Sequence, residues 1–251
     1  MLPPGAGPFP AVVYVTGSGE TTRAYLPELQ ALLLHDGVAV LAYDKRGIGA
    51  SGGVYPGESP TADTIGTLAL DAEAALRFLA ARPEVDPRRV GLAGHSQAGW
   101  IMPLAAKREP AARFMVVFSG PAVTADETDL YQTLAGVGER PQQGSNAAID
   151  AEVTRAGRHG VDPMPWIRAL RIPALWVYGG LDEFVPPRLS RSRLAPLIGA
   201  TGRDFTVVTL PRGNHALVET TTGLTSEMLR SSRYAAGLFA RVSSWLRAHR
   251  I

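Results

Sequence analysis

The alternation of short apolar runs with helix-periodic segments predicts an α/β protein: a mostly parallel sheet of about six strands covered by helices on both faces. Three observations predict it. Six runs of strand length are wholly or mainly apolar, as strands of a sheet covered on both faces are. The segments between them space apolar residues by three and four, the period of a helix with one buried face. The runs give way to turns rich in glycine or polar residues, with no internal repeat and no low-complexity tract.

Taken in order, Ala11–Val15 is the first strand, and Thr16-Gly17-Ser18-Gly19-Glu20 is its turn. Leu26, Leu29, Leu32 and Leu33 place a helix over Thr21–His35, closed by Asp36-Gly37. Val38–Tyr43 is the second strand, followed by the glycine-rich loop Asp44-Lys45-Arg46-Gly47-Ile48-Gly49-Ala50-Ser51. Leu68, Ala72, Ala75, Leu76 and Leu79 form the apolar stripe of a helix over Thr61–Arg82. Val85–Arg89 reads as a polar connector into the strand Val90–Ala93, and Trp100–Lys107 as the next helix. Phe114–Phe118, Ala174–Tyr178 and Phe205–Leu210 are the remaining strands, with helices over Arg188–Ile198 and Ser226–Ala248. Residues 121–170 break the rhythm with weak periodicity and scattered Gly, Pro and Gln. That is too long for a plain loop, so a small helical insertion acting as a lid is expected within a single domain over 1–251.

Composition narrows the function. The 251 residues carry a net charge of +2 and no run of Lys and Arg, so neither nucleic acid nor an anionic membrane is an expected partner. The absence of Cys excludes disulfides, thiolate-bound zinc and a thiol nucleophile. No apolar run reaches membrane-spanning length, and Met1–Pro8 has the features of neither a signal peptide nor a transit peptide. A soluble cytoplasmic protein acting on a small molecule is the expectation, with no metal or organic cofactor implied.

Chemistry-bearing residues collect at the carboxyl ends of the expected strands, where open parallel sheets place their sites. Gly94-His95-Ser96-Gln97-Ala98-Gly99 joins strand to helix through a tight turn of small residues that would expose the Ser96 hydroxyl. Its fifth position is Ala98 where the usual pattern has Gly. Asp182 follows the fifth strand and His215 the sixth. A serine hydroxyl needs a base, and the base needs a carboxylate to hold its tautomer; His215 and Asp182 supply both, in the order Ser, acid, His. Glu183 is the rival acid; His35, His95, His159 and His249 are less well placed as bases. The backbone N–H of Gln97 and one from Gly17 or Ser18 would stabilise a developing oxyanion. Asp44 and Arg46 are expected to pair and brace their loop. Candidate walls for a substrate pocket are His95, Trp100, Tyr131, Met164, Trp166 and Phe184.

These motifs resemble the α/β-hydrolase superfamily over nearly the whole chain, most closely bacterial serine esterases and acyl-peptidase-like hydrolases. The matching segments are Thr16–Gly19, Asp44–Ser51, Gly94–Gly99, Gly179–Pro186 and His215, with Thr16 standing where the family usually has His. The resemblance implies an α/β-hydrolase fold whose first two strands are missing here, either because the enzyme is short or because the N-terminus is incomplete. The missing strands leave an exposed sheet edge open to homodimerisation. It implies cleavage of carboxylic esters of short to medium acyl chains through an acyl-enzyme. An aminopeptidase, thioesterase or lactonase on the same residues stays open, as does a non-catalytic binding protein on the same scaffold. Serine at position 96 argues against the dehalogenase and epoxide hydrolase chemistries, which require Asp there.

Overall fold

The computed structural model describes every residue except Glu139, Pro141, Ser231 and Ser232. Six parallel strands run in chain order through β1 (Phe9–Val15), β2 (Ala39–Ala42), β3 (Val85–His95), β4 (Met115–Phe118), β5 (Ala174–Gly179) and β6 (Phe205–Leu210). They lie in the order β2-β1-β3-β4-β5-β6. The chain moves outward from β1 to β2, then returns past β1 to β3. The loops after β1 and β3 therefore part in opposite directions and leave a crevice between them.

Alternate residues of each strand feed two separate cores, as the pleat requires. On one face, Val13, Val15, Leu92, Met115, Val117 and Trp176 pack beneath α2 (Ala62–Ala80), α3 (Ala98–Arg108) and α6 (Met164–Ala169). On the other, Val12, Tyr14, Ala93, Val116, Phe118 and Val177 pack beneath α1 (Pro27–His35) and α9 (Leu238–Ala248). Between β4 and β5 lie α4 (Ala125–Ala135), α5 (Asn146–Ala156) and α6, so residues 121–170 are helical, with Glu139 and Pro141 outside the described residues. The α7 helix (Pro187–Thr201) joins β5 to β6. Among the described residues, no helix is long and apolar enough to cross a membrane.

Three expected boundaries move, each for a physical reason. The helix expected from Thr21 begins at Pro27, because Leu26 sits at φ 47° and the residue before a proline is disfavoured in the helical region. Val85–Arg89 belongs to β3 and is not a connector: Phe9 N donates to Glu84 O at 2.8 Å, and Phe9 pairs with Val85 in the sheet. The single terminal helix is two, α8 (Thr225–Arg230) and α9; Ser231 and Ser232, within the predicted span, lie outside the described residues. Tyr234 instead forms an antiparallel bridge to Val218, and Gly237 restarts the helix at φ 88°. Along α9, Leu238, Val242, Trp245 and Leu246 turn one buried stripe to the sheet.

The open side of β2 is partly occupied. The Met1 amine donates to Val40 O at 2.8 Å, and Val40 N donates to Met1 O at 2.9 Å. Leu92 is fully buried on β3, between β1 and β4. Leu92→Ala is expected to lower stability by about 2–5 kcal/mol, seen as a lower urea midpoint at unchanged slope.

Candidate active site

The turn after β3 sets Ser96 at φ 58°, a left-handed conformation that side-chain-bearing residues rarely adopt. Ser96 N donates to Phe118 O at 3.0 Å and Gly99 N to Ser96 O at 2.8 Å, which fixes the turn against β4. Small neighbours are obligatory. A Cβ on Gly94 would stand 2.6 Å from the Ala98 Cβ, and one on Gly99 would stand 2.6 Å from the Gly120 backbone. Ala98 fits at the fifth position because the contact it makes is to a glycine.

The loops after β5 and β6 bring the acid and the imidazole to this turn. His215 Nε2 lies 2.9 Å from Ser96 Oγ, and His215 Nδ1 lies 2.9 Å from Asp182 Oδ2. Asp182 is buried, and its other oxygen accepts from Phe184 N at 2.8 Å and Val185 N at 2.9 Å. Three donors thus hold both carboxylate oxygens, which resists rotation away from the ring. With Nδ1–H donating to Asp182, Nε2 is left free to accept from the serine hydroxyl. Glu183 points elsewhere and accepts from Thr225 Oγ1 at 2.5 Å.

Two rings pack on His215. Phe184 stacks on it at 4.8 Å, and His95 lies tilted against it at 4.6 Å. His95 Nε2 donates to the His215 carbonyl at 2.8 Å, while its Nδ1 accepts from Tyr25 Oη at 3.0 Å. Burial, with the nearby His215 second, drives the His95 imidazole down to about 3, so it stays neutral while serving both bonds.

Gly17 passes against the serine: a Cβ there would lie 3.3 Å from Ser96 Cβ and 2.6 Å from Tyr25 Oη. Gln97 caps the N-terminus of α3, directly after Ser96. Gly17, Ser18 and Gln97 are thus the residues whose backbone lies next to Ser96. A cleft of 570 Å³ opens over it, and Ser18, Trp100, Gln132 and Phe184 line it with Ser96 and His215. Glu58 and Asp129 are the carboxylates on its wall, and no Lys or Arg is among its described lining. Burial, helped by neighbouring Asp126, raises the Asp129 carboxyl above its usual range.

Several expected roles change. Tyr131 does not line this cleft; it is buried and donates to the Asp182 carbonyl at 2.7 Å. Met164 and Trp166 sit on α6, Met164 wholly inside the core beneath α3 and Trp166 half-buried against it, because that short helix packs toward the sheet. His95 lies behind His215, away from the opening. His159 is exposed, and His249 packs on Trp245 beside Asp204. Asp44 pairs with Arg23 at 2.7 Å and Arg46 with Asp71 at 2.5 Å, so the loop is braced by two ion pairs and not by one between its own members. Sequence reading missed Tyr25 and Lys45. The signal available for Lys45 was its place just past the end of β2, beside the loop that carries Gly17.

A neutral buried His95 makes the fold sensitive to acid. The unfolded imidazole binds a proton below about 6.5, while the folded one does not until about 3, so stability falls as pH drops through that interval. Urea unfolding between pH 7.5 and 4.5 should show this loss, and His95→Gln should flatten it.

The comparisons with known proteins agree with this fold. Residues 6–143 match the family model described as "Serine aminopeptidase, S33". An uncharacterized protein of Mycobacterium tuberculosis is 30% identical over 215 residues, which is 84% of this chain and 64% of that protein. The chain thus spans less than two thirds of the curated relatives it matches. Among solved structures, an esterase of Pyrococcus furiosus superposes with a TM-score of 0.62 at 16% identity, over 95% of this chain and 81% of that one. The 2,6-dihydroxy-pseudo-oxynicotine hydrolase superposes with a TM-score of 0.60 at 19% identity, over 86% of this chain and 57% of that one. The chain belongs to the serine aminopeptidase S33 family of α/β hydrolases.

Proposed function

We propose that this chain is a serine hydrolase that cleaves carboxylic esters of short to medium acyl chains. The observation that carries the reading is the continuous line from Asp182 through His215 to Ser96, with both links at 2.9 Å. In this reading His215 takes the Ser96 proton as Oγ attacks the ester carbonyl, and Asp182 stabilises the imidazolium so formed. The negative charge that develops on the carbonyl oxygen meets the N–H groups of Gln97 and of Gly17 or Ser18. His215 then gives its proton to the leaving alcohol, and water activated by the same ring releases the acid from Ser96. The cleft's 570 Å³ suits a short or medium acyl group, and α4 supplies Asp129 and Gln132 to its wall, the part a lid would play.

A second reading, hydrolysis of an aminoacyl amide on the same residues, is favoured by the family's description as serine aminopeptidases. p-Nitrophenyl esters from acetate to palmitate, run beside aminoacyl p-nitroanilides, separate the two. Turnover is expected to be fastest on short and medium esters, and a preference for the anilides would overturn the ester reading. Ser96→Ala is expected to lower kcat about a million-fold, whereas a binding protein would keep its ligand. Asp182→Asn, which offers the imidazole the wrong tautomer, is expected to lower kcat roughly 10⁴-fold with the fold intact by circular dichroism.

A further inference from the structure

Lys45 is 3% exposed, and no part of the proposed reaction uses it. Its ammonium donates to Gly17 O at 2.5 Å, to Gly19 O at 3.0 Å and to Gln97 Oε1 at 3.2 Å. All three acceptors are uncharged. An ammonium buried against neutral oxygens is costly, and a neutral donor could brace the same loop at lower cost. The placement explains the charge. Gly17 and Gly19 belong to the loop after β1, and Gln97 is the residue after Ser96. Those two segments carry the N–H groups assigned to the oxyanion in the proposed reaction. Lys45 is thus a direct tie between them, in addition to the Tyr25–His95 hydrogen bond. Donation to Gln97 Oε1 also fixes which way that amide faces.

We infer that Lys45 is a positioning residue for the oxyanion hole, holding its two donor segments in register and setting a positive charge behind them. The inference rests on the serine hydrolase reading. The charge matters because hydrogen bonds alone would position the loops, whereas a cation also lowers the energy of the negative charge that forms at the carbonyl oxygen. The groups facing the ammonium are the Tyr55 ring at 5.8 Å and the Glu58 carboxylate. Burial brings the Lys45 ammonium down to about 8, with Glu58 opposing the shift. Its charge is therefore present at neutral pH and is lost as pH rises through about 8.

The test is the pH dependence of kcat for p-nitrophenyl butyrate from pH 6 to 10, in the wild type, Lys45→Gln and Lys45→Arg, each first checked for fold by circular dichroism. Labelling of Ser96 by a fluorophosphonate probe is followed in parallel. Wild-type kcat is expected to fall as pH rises through about 8. Lys45→Gln should lose about 10- to 100-fold in kcat at pH 7, less than the loss of a whole oxyanion donor, with KM within about twofold and no decline near pH 8. Lys45→Arg, charged throughout, should recover part of the rate and carry it to higher pH. A Lys45→Gln enzyme with the wild-type rate, or with the wild-type alkaline decline at a reduced rate, overturns the inference. If neither variant folds, the wild type decides alone: kcat flat to pH 10 overturns it. A wild type that neither turns over ester nor takes the probe fails at the hydrolase reading, and the role of Lys45 falls with it. A labelled, active wild type matched by Lys45→Gln removes Lys45 only.

Discussion

Ser96 is held at φ 58° by a ring of contacts that tolerate no extra carbon atom. The turn closes only because Gly94 faces Ala98 and because Gly99 lies against Gly120. That second contact ties the turn to the loop after β4, and Ser96 N reaches back to β4 itself through Phe118 O. The strained serine is thus over-determined by the central strands, the condition under which strain persists. The rest of the site follows from it. The hydroxyl can stand clear of the sheet, and the loops after β5 and β6 can reach it only because it does.

Behind that turn Asp182, His215, His95 and Tyr25 are joined in one chain of hydrogen bonds. Asp182 is held by two backbone N–H groups and by His215. The His215 backbone is held by His95, and His95 by Tyr25. This second imidazole stays uncharged, so in the proposed reaction a proton arriving on His215 would meet no like charge from the ring at 4.6 Å. Such networks are favourable when fully satisfied and expensive when broken, which concentrates the sensitivity of the site in residues that never touch a substrate.

What was legible in the sequence was local. Apolar runs mark the strands, unbroken where both faces are covered and interrupted by Thr206 and Thr209 in the half-buried edge strand β6. Ser96, Asp182 and His215 are legible because each lies just past the end of a strand, and strand ends of a parallel sheet meet at one edge. Contacts between distant loops were not legible. Nothing near Tyr131 tells that its hydroxyl reaches the Asp182 carbonyl, and nothing near Asp44 tells that its partner is Arg23 and not Arg46. The terminal helix breaks for the same reason. No Gly or Pro interrupts residues 226–236, but Val218 claims Tyr234 for a bridge, a partner 16 residues away along the chain that no window of periodicity contains.

The carboxylates on the cleft wall bear on what leaves the site. If Ser96 hydrolyses a neutral ester, the acid formed is an anion in a cleft whose described wall carries Glu58 and Asp129 and no Lys or Arg, while the Lys45 ammonium reaches it only from behind Gly17 and Gln97. In that case the wall would favour the ester over the acid, and the chemical step itself would loosen the bound molecule. Salt would weaken that preference by screening it, and the acid would be retained longest at high ionic strength.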